Sequence, residues 1–129
     1  AGKKVVLFAV PGAFTPTCSV QHLPGFVTNA SNLRDKGADV VACIAVNDPF
    51  VMAAWGKDRS AGEDVLMLSD GNAEFTSAIG LEMDGSGFGL GTRSQRYAMI
   101  IDDGVVSTLN VESGPGLEVS SAETILEAL

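Results

Sequence analysis

A chain of 129 residues with 46% hydrophobic content can build one domain around a real core and is too short for two of ordinary size. Sixteen acidic against eight basic side chains leave a net charge of −8 with no lysine/arginine cluster, which argues against nucleic acid or an anionic membrane as partner. Two cysteines and one histidine cannot form an ordinary four-ligand zinc site without carboxylates. They are also too few for a disulfide scaffold, and no stretch approaches the ~20 apolar residues of a membrane span.

Val5 to Val10 is continuous and apolar, as a strand covered on both faces is, and Pro11-Gly12 breaks it. The chain then delivers Cys18 to a predicted helix start, where free amide N–H groups and the positive dipole end favour a thiolate over a thiol. That helix is expected to run to about Lys36, kinked at Pro24-Gly25 and stopped at Gly37. Val40 to Val46 reads as a second buried strand carrying Cys43. Asp48 and Pro49 form a strong helix start, with Phe50, Val51, Ala54 and Trp55 as the buried face. Val65 to Leu68 is a short strand, and Asn72 caps a brief helix ending at Gly80. The glycine-rich run from Glu82 to Thr92 reads as a surface loop. Gln95 to Ile101 and Val105 to Val111, joined by Asp102-Asp103-Gly104, read as a hairpin, and Ser120-x-x-Glu123 announces a final helix. The alternation of strands and helices predicts one domain over residues 1–129, an α/β sandwich with a largely parallel sheet made mixed by the closing hairpin.

Around Cys18 the residue types suggest nucleophilic chemistry. Thr15, three positions earlier, either caps the helix or turns its hydroxyl toward the sulfur. Pro11 either ends the strand or also shields a pocket. Arg96 is a cation at the head of an otherwise apolar strand; a guanidinium beside a thiolate would stabilise it and hold a transition-state oxygen, but this strand is not adjacent to Cys18 in sequence. Arg93 competes for that role, with loop support or solvent exposure as its other reading. His22, four residues after Cys18, suggests a Cys–His pair, but no third orienting residue is evident, so a structural or interface role is favoured. Phe14, Phe88 and Leu90 are candidates for an apolar collar around the pocket. Cys43 has an inert core thiol as its plain reading.

The run Val10-Pro11-Gly12-Ala13-Phe14-Thr15-Pro16-Thr17-Cys18, with its sequel Ser19-Val20-Gln21-His22-Leu23-Pro24-Gly25-Phe26, resembles the active-site loop and helix of type II, or peroxiredoxin-V-like, peroxiredoxins. Val46-Asn47-Asp48-Pro49-Phe50-Val51-Met52-Ala53-Ala54-Trp55 and Arg93-Ser94-Gln95-Arg96-Tyr97-Ala98-Met99 resemble two further segments of that family, so the likeness covers essentially the whole chain. It implies a thioredoxin-like three-layer sandwich, here without the N-terminal strand pair usual in the family. It implies also a thiol-dependent peroxidase acting on hydrogen peroxide and alkyl hydroperoxides without a cofactor or metal. Cys18 would be the peroxidatic residue, served by Thr15, Arg96 and Pro11.

Cys43, twenty-five positions after Cys18, resembles the resolving cysteine of plant-like members, and Gly116 to Ser121 lacks the C-terminal cysteine of some animal relatives. A Cys18–Cys43 disulfide needs Cα atoms within about 7 Å, so local unwinding of the first helix is expected. Glutaredoxin with glutathione, or thioredoxin, would be the reductant, and a homodimer is the family's usual assembly. A reducing intracellular compartment follows: cytoplasmic where no transit peptide was removed, organellar where one was. The competing readings are a redox sensor or chaperone-like binding protein on the same fold, and a cysteine hydrolase.

Overall fold

The computed structural model describes residues 3–15, 18–62, 64–113 and 117–129; Pro16, Thr17 and Gly116 of the segments above lie outside the described residues. Strands β1 (Lys4–Ala9), β2 (Val40–Ala45), β3 (Leu66–Ser69), β6 (Tyr97–Asp102) and β7 (Val105–Val111) form one sheet in the order β3-β2-β1-β6-β7. The pairs β1–β2 and β2–β3 are parallel, whereas β1–β6 and β6–β7 are antiparallel. A mixed sheet is what the crossover helices and closing hairpin demand. A separate antiparallel pair joins β4 (Glu82–Asp84) to β5 (Thr92–Ser94).

Helices α1 (Leu23–Asp35), α2 (Pro49–Asp58) and α4 (Ala122–Ala128) cover one face of the sheet. Strand alternation sends Val6, Phe8, Val41, Cys43, Ala98 and Ile100 to that face, against Phe26, Leu33, Trp55 and Ile125. Each fully buried side chain of this size contributes about 1.5–3 kcal/mol. Leu7, Ala9, Ala42, Ile44, Tyr97 and Met99 form a smaller core on the opposite face. There α3 (Glu74–Ala78) contributes Phe75 to a hollow shared with Val5 and Leu7, completing the thioredoxin-like three-layer order.

Several local expectations hold for the reasons given. Asp48 accepts a 2.8 Å hydrogen bond from the Val51 N–H with Pro49 as the first helical residue. Gly37 has φ +110°, and the Ala38 N–H closes the end of α1 on the Leu33 carbonyl at 3.0 Å. Asp103 and Gly104 both have positive φ, the geometry of a tight hairpin turn matched to strand twist.

Others are corrected. No single kinked helix runs from Cys18: residues Cys18–His22 form a π turn, and α1 follows with Pro24 in its first turn. The buried residues of α2 are Met52, Trp55 and Gly56, while Phe50 is 84% exposed and Ala54 is exposed. Gly56 brings the helix close to the sheet, since a Cβ there would sit 2.7 Å from Met67. The segment from Glu82 to Thr92 is an ordered ribbon of β4, a 3-10 turn and β5 rather than a plain loop. Ser121, not Ser120, caps α4, accepting from the Thr124 N–H.

Asn72 does not cap α3. Asp70 does so from two residues further back, accepting from the N–H groups of Phe75 and Thr76 and from the Thr76 hydroxyl. Burial opposes the charge on Asp70, yet these hydrogen bonds outweigh it and hold the carboxyl below its ordinary value of 3.8. The charged form is therefore favoured by the fold, so this stabilisation is present above the ordinary carboxylate range and is lost as pH falls through the lower folded value. Asp70→Asn should cost about 1–2 kcal/mol at neutral pH and show a shallower acid decline below about pH 4 in thermal melts. An unchanged melting temperature would contradict this. Tyr97 is fully buried and its hydroxyl has no hydrogen-bond partner among the described residues. Tyr97→Phe should hold or raise the melting temperature, because it removes an unpaired polar atom and leaves the ring.

Candidate active site

The site grows from the end of β1. Val10 still donates to the Ile44 carbonyl at 3.3 Å, after which Pro11 breaks the ladder. The loop then turns back on itself: Ala13 N–H reaches Asn47 Oδ1 at 2.9 Å, and Thr15 N–H reaches the Gly12 carbonyl at 3.4 Å. Phe14 takes φ +64°, an uncommon conformation for a bulky residue, with its ring tilted against Trp55 at 6.4 Å. The Thr15 carbonyl accepts from the Ser19 N–H at 2.9 Å, tying the loop to the π turn. Its hydroxyl donates to the Gly12 carbonyl at 2.6 Å. From the other side, Trp55 Nε1–H donates to Ser19 Oγ at 2.9 Å, tying α2 to the turn.

This scaffold places the Cys18 thiol fully out of solvent. Arg96, arriving between β5 and β6, directs Nη2–H to the sulfur at 3.2 Å and Nη1–H to His22 Nδ1 at 2.9 Å. Only 7% of Arg96 is exposed, and no carboxylate pairs with it among the described residues. Arg93 is the loop support: its Nε holds the Leu90 carbonyl and its Nη1 the Val46 carbonyl.

His22 is buried, and its Nε2 lies 2.8 Å from the Ser120 carbonyl. A carbonyl only accepts and a guanidinium only donates, so these partners assign the proton to Nε2 and the lone pair to Nδ1. Burial above all, then the charge on Arg96, pushes His22 down to about 3 from 6.5, against the Ser120 carbonyl and Glu112. The ring is neutral across physiological pH. With both nitrogens engaged it has none free to serve as a hydrolase base.

Cys43 lies on β2 opposite Phe8 of β1, fully buried in the same core cluster as Cys18, and both thiols are free. Burial, reinforced by Cys18 and opposed by Arg96, pushes the Cys43 thiol well above its ordinary value. It is a protonated, shielded sulfur in this conformation.

A hollow of about 470 Å³ opens on Arg96. Pro11, Met83, Phe88 and Gln95 line it, together with the carboxylate residues Glu82 and Glu112. Phe88 thus sits on the wall, while Phe14 and Leu90 are not among its lining residues. Pro11, Arg96 and Phe88 share this hollow, whereas the buried Cys18 touches Arg96 from behind and, like Thr15, is not among the lining residues.

Sequence reasoning passed over Glu112. Its Oε2 accepts from the N–H groups of Glu118, Val119 and Ser120 and from the Ser120 hydroxyl, at 2.7–2.9 Å. The available signal was a lone acid directly after the apolar strand β7. Among the described residues no group of three His, Cys, Asp or Glu is placed to hold a metal ion.

A family model described as Redoxin matches residues 1–126. Peroxiredoxin-2E, chloroplastic, of Arabidopsis thaliana is 60% identical over 131 residues, covering 100% of this chain and 56% of that protein. The chain thus spans little more than half the length of that relative. Reduced Prx3 of Vibrio vulnificus, solved in complex with H2O2, is 66% identical with a TM-score of 0.96, covering 100% of this chain and 83% of that one. The oxidised form of Vibrio vulnificus Prx3 is 67% identical with a TM-score of 0.92, covering 100% of this chain and 81% of that one. By sequence over its full length, and by a thioredoxin-like fold carrying Cys18 against Arg96, this chain belongs to the peroxiredoxins.

Proposed function

We propose that the chain is a thiol-dependent peroxidase that reduces hydrogen peroxide and alkyl hydroperoxides at Cys18. One observation carries this reading: the buried guanidinium of Arg96 meets the Cys18 sulfur and, among the described residues, no carboxylate. A buried cation requires compensation, and a thiolate supplies it. The sulfur attacks one peroxide oxygen, forming the S–O bond of a sulfenic acid as the O–O bond breaks. The departing oxygen leaves with the electron pair and takes a proton from solvent, giving water or an alcohol. Arg96 donors stabilise charge on the two oxygens as the bond lengthens. The Thr15 hydroxyl, whose proton is held by Gly12, keeps lone pairs free to accept from a peroxide O–H. Pro11 and Phe88 wall the approach and limit water.

The sulfenic acid is then attacked by the Cys43 thiol, which loses its proton as the S–S bond forms and water departs. Both sulfurs share one core, but Cys43 is shielded beneath the turn, so the π turn and the start of α1 open for this step. Glutaredoxin with glutathione, or thioredoxin, returns the disulfide to two thiols, and a homodimer is the assembly proposed. An organellar location gains support from the chloroplastic relative over the cytoplasmic one. A passive sensor is not favoured, because it has no need of a guanidinium held on the sulfur.

Hydroperoxide consumption with excess dithiothreitol tests the reading. Cys18→Ser should abolish turnover, and Arg96→Ala should reduce kcat/KM by about 10²–10³-fold. A folded parent chain without turnover would defeat the assignment. One equivalent of peroxide should convert the parent to an intrachain disulfide, whereas Cys43→Ser should stop at a dimedone-reactive sulfenic acid. Equal dimedone labelling of the two would remove Cys43 from the cycle.

A further inference from the structure

Arg96 and Cys18 lie 78 residues apart, and a guanidinium on a long flexible stem does not stay on one sulfur atom without help. The help is a closed ring of hydrogen bonds that begins and ends at Arg96. Its Nη1–H donates to His22 Nδ1 at 2.9 Å, and His22 Nε2–H donates to the Ser120 carbonyl at 2.8 Å. Ser120 donates its N–H and hydroxyl to Glu112 Oε2 at 2.8 and 2.7 Å, and the Glu112 N–H returns to the Arg96 carbonyl at 2.9 Å. The imidazole cannot swing away, because Phe8 and Phe26 pack against it with centroids at 4.9 and 5.5 Å.

We propose that His22 is a positioning residue for the peroxide reaction: its Nδ1 lone pair holds one arm of Arg96 so that the other arm faces Cys18, with Ser120 and Glu112 anchoring the imidazole. This rests on the peroxidase reading above and assigns His22 no proton transfer. It explains why a histidine one turn from the nucleophile has both nitrogens committed elsewhere. It also explains why Glu112, remote from the sulfur, gathers four donors on one oxygen: they fix the carbonyl on which the imidazole hangs.

The two nitrogens can be tested separately. His22→Asn places an amide oxygen near the Nδ1 position, keeping an acceptor for Arg96 while giving up Ser120. His22→Gln places its amide near Nε2, keeping Ser120 while withdrawing the acceptor. The rate constant for one equivalent of hydrogen peroxide with the reduced chain should fall about tenfold or more in the Gln variant and only about threefold in the Asn variant, in line with a hydrogen bond to a charged group. Rates that track each variant's melting temperature, whichever amide it carries, would overturn the proposal. Nitrogen-15 NMR of the Arg96 guanidinium gives a readout independent of turnover: restricted rotation in the parent and Asn variant, averaging in the Gln variant. An averaged guanidinium in the parent would overturn the proposal without any variant. A parent that fails to react with peroxide yet shows a restricted Arg96 would defeat the peroxidase reading and leave His22 as the holder of Arg96.

Discussion

The rest of the site depends on a guanidinium that is almost wholly out of water and, among the described residues, meets no carboxylate. Removing a unit charge from water costs several kcal/mol even after the protein relaxes, and an unpaired buried charge is among the most destabilising features a fold can carry. Arg96 is tolerated because its donors end on the Cys18 sulfur and on the His22 lone pair. The sulfur that this guanidinium reaches lies in an apolar cluster with Val10, Phe8 and Leu23, so cation and sulfur are removed from water together.

Around that pair, rigid and yielding parts divide the labour. β1, β2 and β6 are the sheet's centre, with Phe8 stacked on Phe26 at 4.0 Å, and they fix the floor on which Cys43 and Arg96 stand. The Cys18 turn is different. It is a π turn rather than a continuous α-helix, followed at once by Pro24, which supplies no N–H to the turn before it. Such a segment has fewer cooperative hydrogen bonds to lose on opening. That arrangement suits the proposed cycle, in which Cys18 is sealed as it reacts and then released toward Cys43.

Much of this was legible in the residues. The apolar runs of β1 and β2, Asp48-Pro49, Gly37 and the Asp103-Gly104 turn all carry local physics that the tertiary structure did not override. Cys18 announced itself by sitting just beyond a strand end, and Arg96 by being a cation at the head of an apolar strand. Misreadings arose where the deciding partner was not local. Asn72 looked like a cap, but Asp70 reaches past it to Phe75 and Thr76. Phe50 looked like core, yet the geometry of α2 turns Met52 and Gly56 to the sheet instead. His22 was expected to be structural, but its link to Arg96 was invisible because the two lie 74 residues apart. Glu112 is legible only once the chain from Glu118 to Ser120 is seen folded over it.

In the proposed reaction Arg96 acts through the geometry of its fork, one arm on the sulfur and one on His22, rather than through charge alone. Arg96→Lys separates the two, since an ammonium keeps the charge but offers a single point in place of a planar pair of arms. The direct measurement is the second-order rate constant of the reduced chain with hydrogen peroxide. A loss of about tenfold or more in the folded lysine variant is what this account predicts. A lysine variant that reacts at the parent's rate would show that a nearby positive charge suffices and that the hydrogen-bonded ring around Arg96 is not what makes Cys18 reactive.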